Sequence, residues 1–414
     1  MEHRVAVTGL GCVSPVGNTA AETWESLVAG RSGIGPITHF DTTGFKATVA
    51  GEVKDFDFKE RFGVASARRD DPYVLFALAA SDEAMADSGL DAEGAVDHER
   101  LGVYVGSGIG GIKTTTDNTE KLVKQGPGRV SPFMVPSMIA NMAAGQVAIR
   151  HNCLGPTLPV VTACSTSANT IGEAFRAIKH GYADAILAGG SEAAIVPLAV
   201  AGFSNAKALT RNPDPVTACR PFDAQRDGFV IGEGAAILVL EEWDHAVARG
   251  AHIYAEVVGY GNTCDAHHIT SPDPEAKGIA RAIRQAVEEG GVRPEEGLYV
   301  NMHGTSTKLN DASETAGYKL ALGEEAAHAA RCSSTKSMTG HMLGAAGAIE
   351  ALACVKALEA GVVPPTINLT EPDPECDLDY TPNQAAAFQA TWALSSNLGF
   401  GGHNAVLAFR RHEA

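Results

Sequence analysis

Read for hydrophobic period, the chain runs twice through one order of elements, and that repetition limits its fold more than any single motif does. The first pass predicts a strand near 4–10, helices near 20–29 and 73–88, a strand near 101–105 and a helix near 137–150. A short β-branched strand over Pro159–Thr162, a helix, and strands near 184–188 and 235–241 complete it. The second pass predicts a strand near 254–260, a helix near 275–289, a strand near 298–302 and a helix near 311–320. A strand near 331–335, a helix near 343–360, and strands near 392–396 and 404–409 follow. Alternating strands and helices imply an α/β fold with mostly parallel sheets covered by helices. At 414 residues the chain is long for one core, and the repeat divides it into 1–252 and 253–414.

The repeat also places chemistry. Val160-Val161-Thr162-Ala163-Cys164-Ser165-Thr166 ends a strand and opens a helix whose apolar positions are Ala168, Ile171, Ala174, Phe175 and Ile178. Cys164 then sits on a strand-to-helix turn, where a helix N-terminus stabilises a thiolate and free N–H groups can hold an oxyanion. His341 occupies the corresponding junction of the second pass, and His303 ends its second strand. Packing of the halves about a pseudo-twofold axis brings Cys164, His303 and His341 together at the C-terminal ends of strands. A Cys with two His reads as a nucleophile with helpers. The turn His303-Gly304-Thr305-Ser306-Thr307 is small and rich in hydroxyls, suited to an extended polar ligand. Lys336, in an apolar strand-turn, is expected to be buried beside a carboxylate, with Glu314 as its partner.

Other features exclude function classes. The net charge of −17 excludes non-specific nucleic-acid binding and makes each basic cluster informative. The 8 Cys are scattered without a C-x-x-C pair, which argues against structural zinc and for a reduced compartment. Met1 to Arg4 lead straight into an apolar strand and no apolar run is long enough to span a bilayer, so a cytoplasmic protein away from membranes is expected. Gly106-Ser107-Gly108-Ile109-Gly110-Gly111 satisfies G-x-G-x-x-G, but no short βαβ unit with an acidic strand end follows, and dinucleotide binding loses its support. G-x-S-x-G, H-E-x-x-H and the P-loop are absent from the sequence. Phe400, flanked by Gly399, Gly401 and Gly402, is a candidate movable gate.

Thr162-Ala163-Cys164, His303 to Thr307, Lys336-Ser337-Met338-Thr339-Gly340-His341 and Gly399 to Gly402 together resemble the signatures of β-ketoacyl-acyl-carrier-protein synthases, above all the elongating type II enzymes. The resemblance runs nearly end to end and implies a thiolase-like fold, two βαβαβαββ halves forming a layered αβαβα core. It implies a ping-pong reaction in which Cys164 takes an acyl chain from an acyl carrier protein. Malonyl-carrier protein then loses CO₂, and its enolate attacks the acyl thioester. The same resemblance implies an oxyanion hole from the N–H groups of Cys164 and Phe400, with His303 and His341 stabilising the enolate. Lys336 with Glu314 would set the electrostatics, and Thr305 and Thr307 would bind the pantetheine arm. Ile109 would limit acyl depth, and Arg68 and Arg69 would dock the carrier. No cofactor is implied beyond the phosphopantetheine that the carrier brings, and no metal. Leu398, Met302, Lys308 and Asn310 depart from the usual pattern. Asn310-Asp311, the run 314–319 and the run 373–380 resemble ketosynthase α subunits of type II polyketide systems, which pair with a chain-length-factor homologue. Fatty-acid, polyketide and polyene pathways stay open at this point, as do the homodimer and the heterodimer. A degradative thiolase would carry a second Cys near the C-terminal glycines, a starter-type enzyme Asn at 341, and a chain-length-factor scaffold no nucleophile.

Overall fold

The computed structural model describes residues 2–413. Nine strands form one sheet: β1 Val5–Val13, β2 Leu101–Gly106, β3 Ala185–Glu192, β4 Gly234–Glu242, β5 Ala255–Cys264, β6 Leu298–Asn301, β7 Arg331–Ser333, β8 Trp392–Gly399 and β9 His403–Arg411. Their order is β2-β3-β4-β1-β5-β9-β8-β6-β7. The order is the same outward from the centre on both sides: first strand, last strand, next to last, then second. β1 and β5, the first strands of the two passes, join the halves through antiparallel pairs Val5–Val257 to Val7–Ala255.

Two expectations change. The sheet is not mostly parallel: β2–β3, β6–β8 and β6–β7 are parallel, whereas β3–β4, β4–β1, β1–β5, β5–β9 and β9–β8 are antiparallel. The final strand of each pass turns back. In the second, only Phe400–Gly402 separate β8 from β9, a length that permits an antiparallel return and no crossover. The strand expected over Pro159–Thr162 also moves upstream. Gly155 N donates to Leu101 O, Val103 N to Pro156 O and Leu158 N to Val103 O, so the strand-like segment beside β2 is 155–158. Pro159 has no N–H to continue the ladder.

Five layers result. Helices α1 Pro72–Ser88 and α2 Met142–His151 cover the outer face of the first half; α2 starts later than expected, after a separate turn at Met134–Met138. Helices α4 Lys277–Gly290 and α5 Lys308–Leu322 cover the outer face of the second. Between them lie α3 Thr166–Lys179 and α6 Ala346–Ala360, each touching strands of both halves. Sequence distinguishes inner from outer. α4 buries one stripe (Ile279, Ala282, Ile283, Ala286), whereas α6 is buried on every side from Ala346 to Val355. Pattern reading missed the helices Phe58–Arg69, Ile112–Gln125 and Pro197–Asn205; the first two carry few buried apolar residues and the third is short.

The inner helices meet without side chains between them. A Cβ on Gly347 of α6 would lie 2.6 Å from Ala168 N and 2.9 Å from Ala168 Cβ of α3. Gly347→Ala should therefore destabilise the fold by about 1–3 kcal/mol despite its better helix propensity. Denaturant unfolding measures this, and an unchanged midpoint would contradict such close packing.

Candidate active site

The segment that passes β2 ends in an elbow. Ala163 has φ +53°, a conformation costly for a residue with a Cβ, and starts a single tight turn, Ala163–Ser165, that runs into α3. Cys164 stands on this turn. The helix terminus does not prevail at rest: burial pushes the thiol up to about 12, opposed by the Lys336 charge and by the backbone N–H of Phe400. Desolvation outweighs these favourable groups, so the free protein holds Cys164 as a thiol.

His303 and His341 arrive from the second half. Their rings lie 5.1 Å apart between centroids at an interplanar angle of 88°, and both residues are buried. His341 N donates to Val230 O at 2.7 Å, its carbonyl accepts from Gly232 N at 2.8 Å, and Phe229 packs edge-on at 5.2 Å. His303 Nδ1 lies 3.4 Å from Asn397 Nδ2, a donor, which leaves the ring proton on Nε2. Burial first, and then the Lys336 ammonium, hold both imidazoles well below the usual histidine range. Both are neutral donors near neutral pH.

Lys336 is buried beside a carboxylate, but the carboxylate is Glu350 of α6 and not Glu314. Asn397 Nδ2 donates to the other Glu350 oxygen at 2.7 Å, linking the pair to His303. Glu314 instead accepts from His303 N at 2.6 Å, Gly304 N at 2.9 Å and Ser396 Oγ at 2.6 Å, so it fixes the backbone of the turn from behind. It is fully buried and touches no cavity, which removes it from direct substrate contact. Sequence signals for the overlooked groups exist: Glu350 is the lone acid in the run Ala346–Val355, and Asn397 follows two serines in a core strand.

One cavity of about 460 Å³ is lined by Cys164, His303, His341, Thr305, Thr307 and Phe400. Thr305 and Thr307 hold their hydroxyls 2.9 Å apart. Leu398, Lys308 and Asn310 also line it, whereas Met302 lies buried in the outer core of the second half. Phe203 and Phe229, not anticipated from sequence, form an aromatic wall, with Phe203 6.4 Å from Phe400. Ile109 does not line this cavity; it is 37% exposed on the glycine-rich turn after β2. That turn binds no phosphate-like group: its N–H groups close on Glu192. Arg68 and Arg69 lie apart from the cavity at the end of the helix Phe58–Arg69. Both are exposed, and Arg69 is forked onto Asp70 at 2.9 and 2.8 Å.

Residues 2–246 match the Beta-ketoacyl synthase N-terminal domain and residues 254–370 its C-terminal domain. The chain belongs to the β-ketoacyl synthase family. It is 52% identical over 413 residues to 3-oxoacyl-[acyl-carrier-protein] synthase 2 of Synechocystis sp., covering 100% of this chain and 99% of that one. Against the protein of the same name from Staphylococcus aureus (strain COL) it is 49% identical over 412 residues, 99% of each chain. Among solved structures, a type II polyketide ketosynthase in complex with its acyl-carrier protein superposes with TM-score 0.91 at 35% identity, covering 100% of both chains. The ishigamide ketosynthase/chain length factor does so with TM-score 0.92 at 37% identity, again over 100% of both.

In this β-ketoacyl synthase the Lys336–Glu350 pair is a buried charge pair in the layer of inner helices. Lys336→Met leaves Glu350 with only Asn397 and should cost about 3–5 kcal/mol. The Lys336→Met/Glu350→Met double variant should cost less than the two singles combined, which a double-mutant cycle from denaturant unfolding measures. Additive singles would contradict the pairing.

Proposed function

We propose that this protein is an elongating condensing enzyme that joins malonyl-acyl-carrier protein to an acyl chain held as a thioester on Cys164. The observation that carries the reading is a buried Cys on a helix-start elbow sharing one cavity with two neutral imidazoles. Cys164 Sγ attacks the carrier thioester, the negative oxygen rests on the N–H groups of Cys164 and Phe400, and the pantetheine thiol leaves. Malonyl-carrier protein binds next, its arm along the Thr305 and Thr307 hydroxyls. Its C–CO₂ bond breaks, and the electron pair moves onto the thioester oxygen, held by N–H donors of His303 and His341. The enolate carbon then bonds to the acyl carbon and expels Sγ, leaving a 3-oxoacyl-carrier protein. Neutral donors serve this step because they stabilise developing charge without burying a charge of their own beforehand. Burial and then the Lys336 charge keep both rings neutral, Phe400 gates the cavity, and Glu314 sets the His303 turn. Ile109, outside this cavity on the turn beside the Cys164 elbow, limits how far an acyl chain passes beyond the nucleophile.

The partner is an acyl carrier protein, acidic like this chain, seated on a local basic patch; Arg68 is free to meet it, while Arg69 already engages Asp70. The phosphopantetheine comes on the carrier, and the enzyme needs no cofactor or metal of its own. A nucleophile-bearing half, 1–252, and a histidine-bearing half, 253–414, are the working units. Among the described residues no helix is long and apolar enough to cross a membrane, in keeping with a cytoplasmic enzyme. The segment 155–158 leaves a sheet edge, with Leu154, Leu158 and Val161 exposed beside it, and a second chain covers that edge. Identities of 52 and 49% to 3-oxoacyl synthases, against 35 and 37% to polyketide ketosynthases, favour fatty-acyl elongation by a homodimer. The polyketide-like segments around Asn310 and Asp373 carry the second reading, a ketosynthase α subunit paired with a chain-length factor.

Cys164→Gln should still release CO₂ from malonyl-carrier protein, whereas His303→Ala should lose that release by about 10²–10³-fold. Equal release from both variants refutes the division of labour. The protein alone, weighed in solution and sized for its products, should be an active homodimer; inactivity until a homologue is added favours the second reading.

A further inference from the structure

Glu192, at the C-terminal end of β3, is fully buried and has no role in the chemistry above. It accepts four hydrogen bonds from two places in the chain. Ser107 Oγ donates to Oε1 at 2.8 Å and Ile109 N at 3.3 Å; Gly108 N donates to Oε2 at 2.9 Å and Gly344 N at 3.0 Å. The first three donors belong to the first half. Gly344 belongs to the second, in the turn Leu343–Ala345 that follows His341 and opens α6.

Backbones meet around this carboxylate. A Cβ on Gly108 would lie 2.8 Å from Glu192 Oε2 and 3.2 Å from Ala163 O, the residue before the nucleophile. A Cβ on Gly344 would lie 2.2 Å from Gly108 N. The glycines at 108 and 344 are therefore there so that two turns and the Cys164 elbow can close on one carboxylate. Leu343 packs in the same apolar cluster as Cys164, so the far turn reaches the nucleophile's own surroundings.

We infer that Glu192 is a positioning residue that ties the Ile109 turn of one half to the Gly344 turn of the other and thereby fixes the walls beside Cys164. Resting on the condensing reading, it holds Ile109 where that residue limits acyl depth. Its charge also reaches the thiol: Glu192 and Glu350 oppose the Cys164 thiolate, while Lys336 and the Phe400 N–H favour it, and His303 and His341 share the cavity as neutral rings. Glu192 itself is pushed up to about 7 by burial, against the pull of its four donors.

Three variants test this: Glu192→Gln, Glu192→Asp and, as the mildest, Ser107→Ala. Iodoacetamide labelling of Cys164, read by peptide mass spectrometry across neutral and alkaline pH, needs no carrier protein. Glu192→Gln should carry about threefold more thiolate at a given pH below the midpoint, whereas Glu192→Asp, which keeps the charge, should follow the wild type. Amide exchange should rise together at 107–110 and at 343–345 in both Glu192 variants and more weakly in Ser107→Ala. Products of condensation should then shift to longer and broader lengths. Unchanged labelling in Glu192→Gln, or exchange that rises in one turn only, overturns the inference. A labelling shift without change in exchange or product length reduces Glu192 to a mere charge and overturns its positioning role. A wild type that labels at Cys164 but condenses nothing would count against the condensing reading alone, since labelling and exchange still judge Glu192.

Discussion

The Lys336 ammonium is the interaction on which the rest of this site depends. It is buried between the two halves of the sheet, paired to Glu350 of α6, and linked through Asn397 to the ring of His303. A buried charge is tolerated only when a partner and further hydrogen bonds meet it. Here the partner is delivered by an inner helix, and the same ammonium acts on the two histidines and the cysteine around it. It disfavours charge on the imidazoles and favours it on the sulfur. Burial keeps all three side chains uncharged at rest, and the one fixed cation adds to that on the imidazoles while opposing it on the sulfur.

That arrangement requires the duplicated architecture. The nucleophile lies before α3 and His341 before α6, and these helices share the layer between the two halves of the sheet because their facing surfaces are Gly and Ala. Bulkier residues at Gly347 or Gly344 would separate the elbows that face each other. The sheet joins the halves along β1 and β5, while Glu192 joins them again beside the chemistry. Packing, backbone capping and charge pairing therefore all act across the same internal boundary.

How much was legible in the sequence follows from which forces act locally. Strand and helix order was readable because the apolar period is local, and α4, with one buried stripe, is an example. Strand direction was not, since the apolar pattern ends at 396 and resumes at 404, whereas pairing extends β8 and β9 until only Phe400–Gly402 are left to turn. The Cys164 turn could be read, but the state of its thiol could not: a helix N-terminus is visible in sequence, while the desolvation that outweighs it is a property of the assembled cavity. Glu314 was placed beside Lys336 because both flank the same motifs. In the structure Glu314 meets backbone donors of the His303 turn, and Glu350, in the second turn of α6, meets the ammonium. The glycine-rich turn after β2 matched G-x-G-x-x-G without the context for dinucleotide binding, and the sequence did not show that its N–H groups close on the buried Glu192 carboxylate.

The central claim is that two imidazoles and a thiol are held uncharged side by side until substrate arrives, and ¹⁵N NMR of the ring nitrogens addresses it most directly. Spectra of the protein, with His303 and His341 assigned by difference from single His→Asn variants, would follow each ring through the acid range. Both should stay neutral through the range in which a free imidazole protonates, around pH ~6.5. A midpoint for either ring at or above that value would contradict the account.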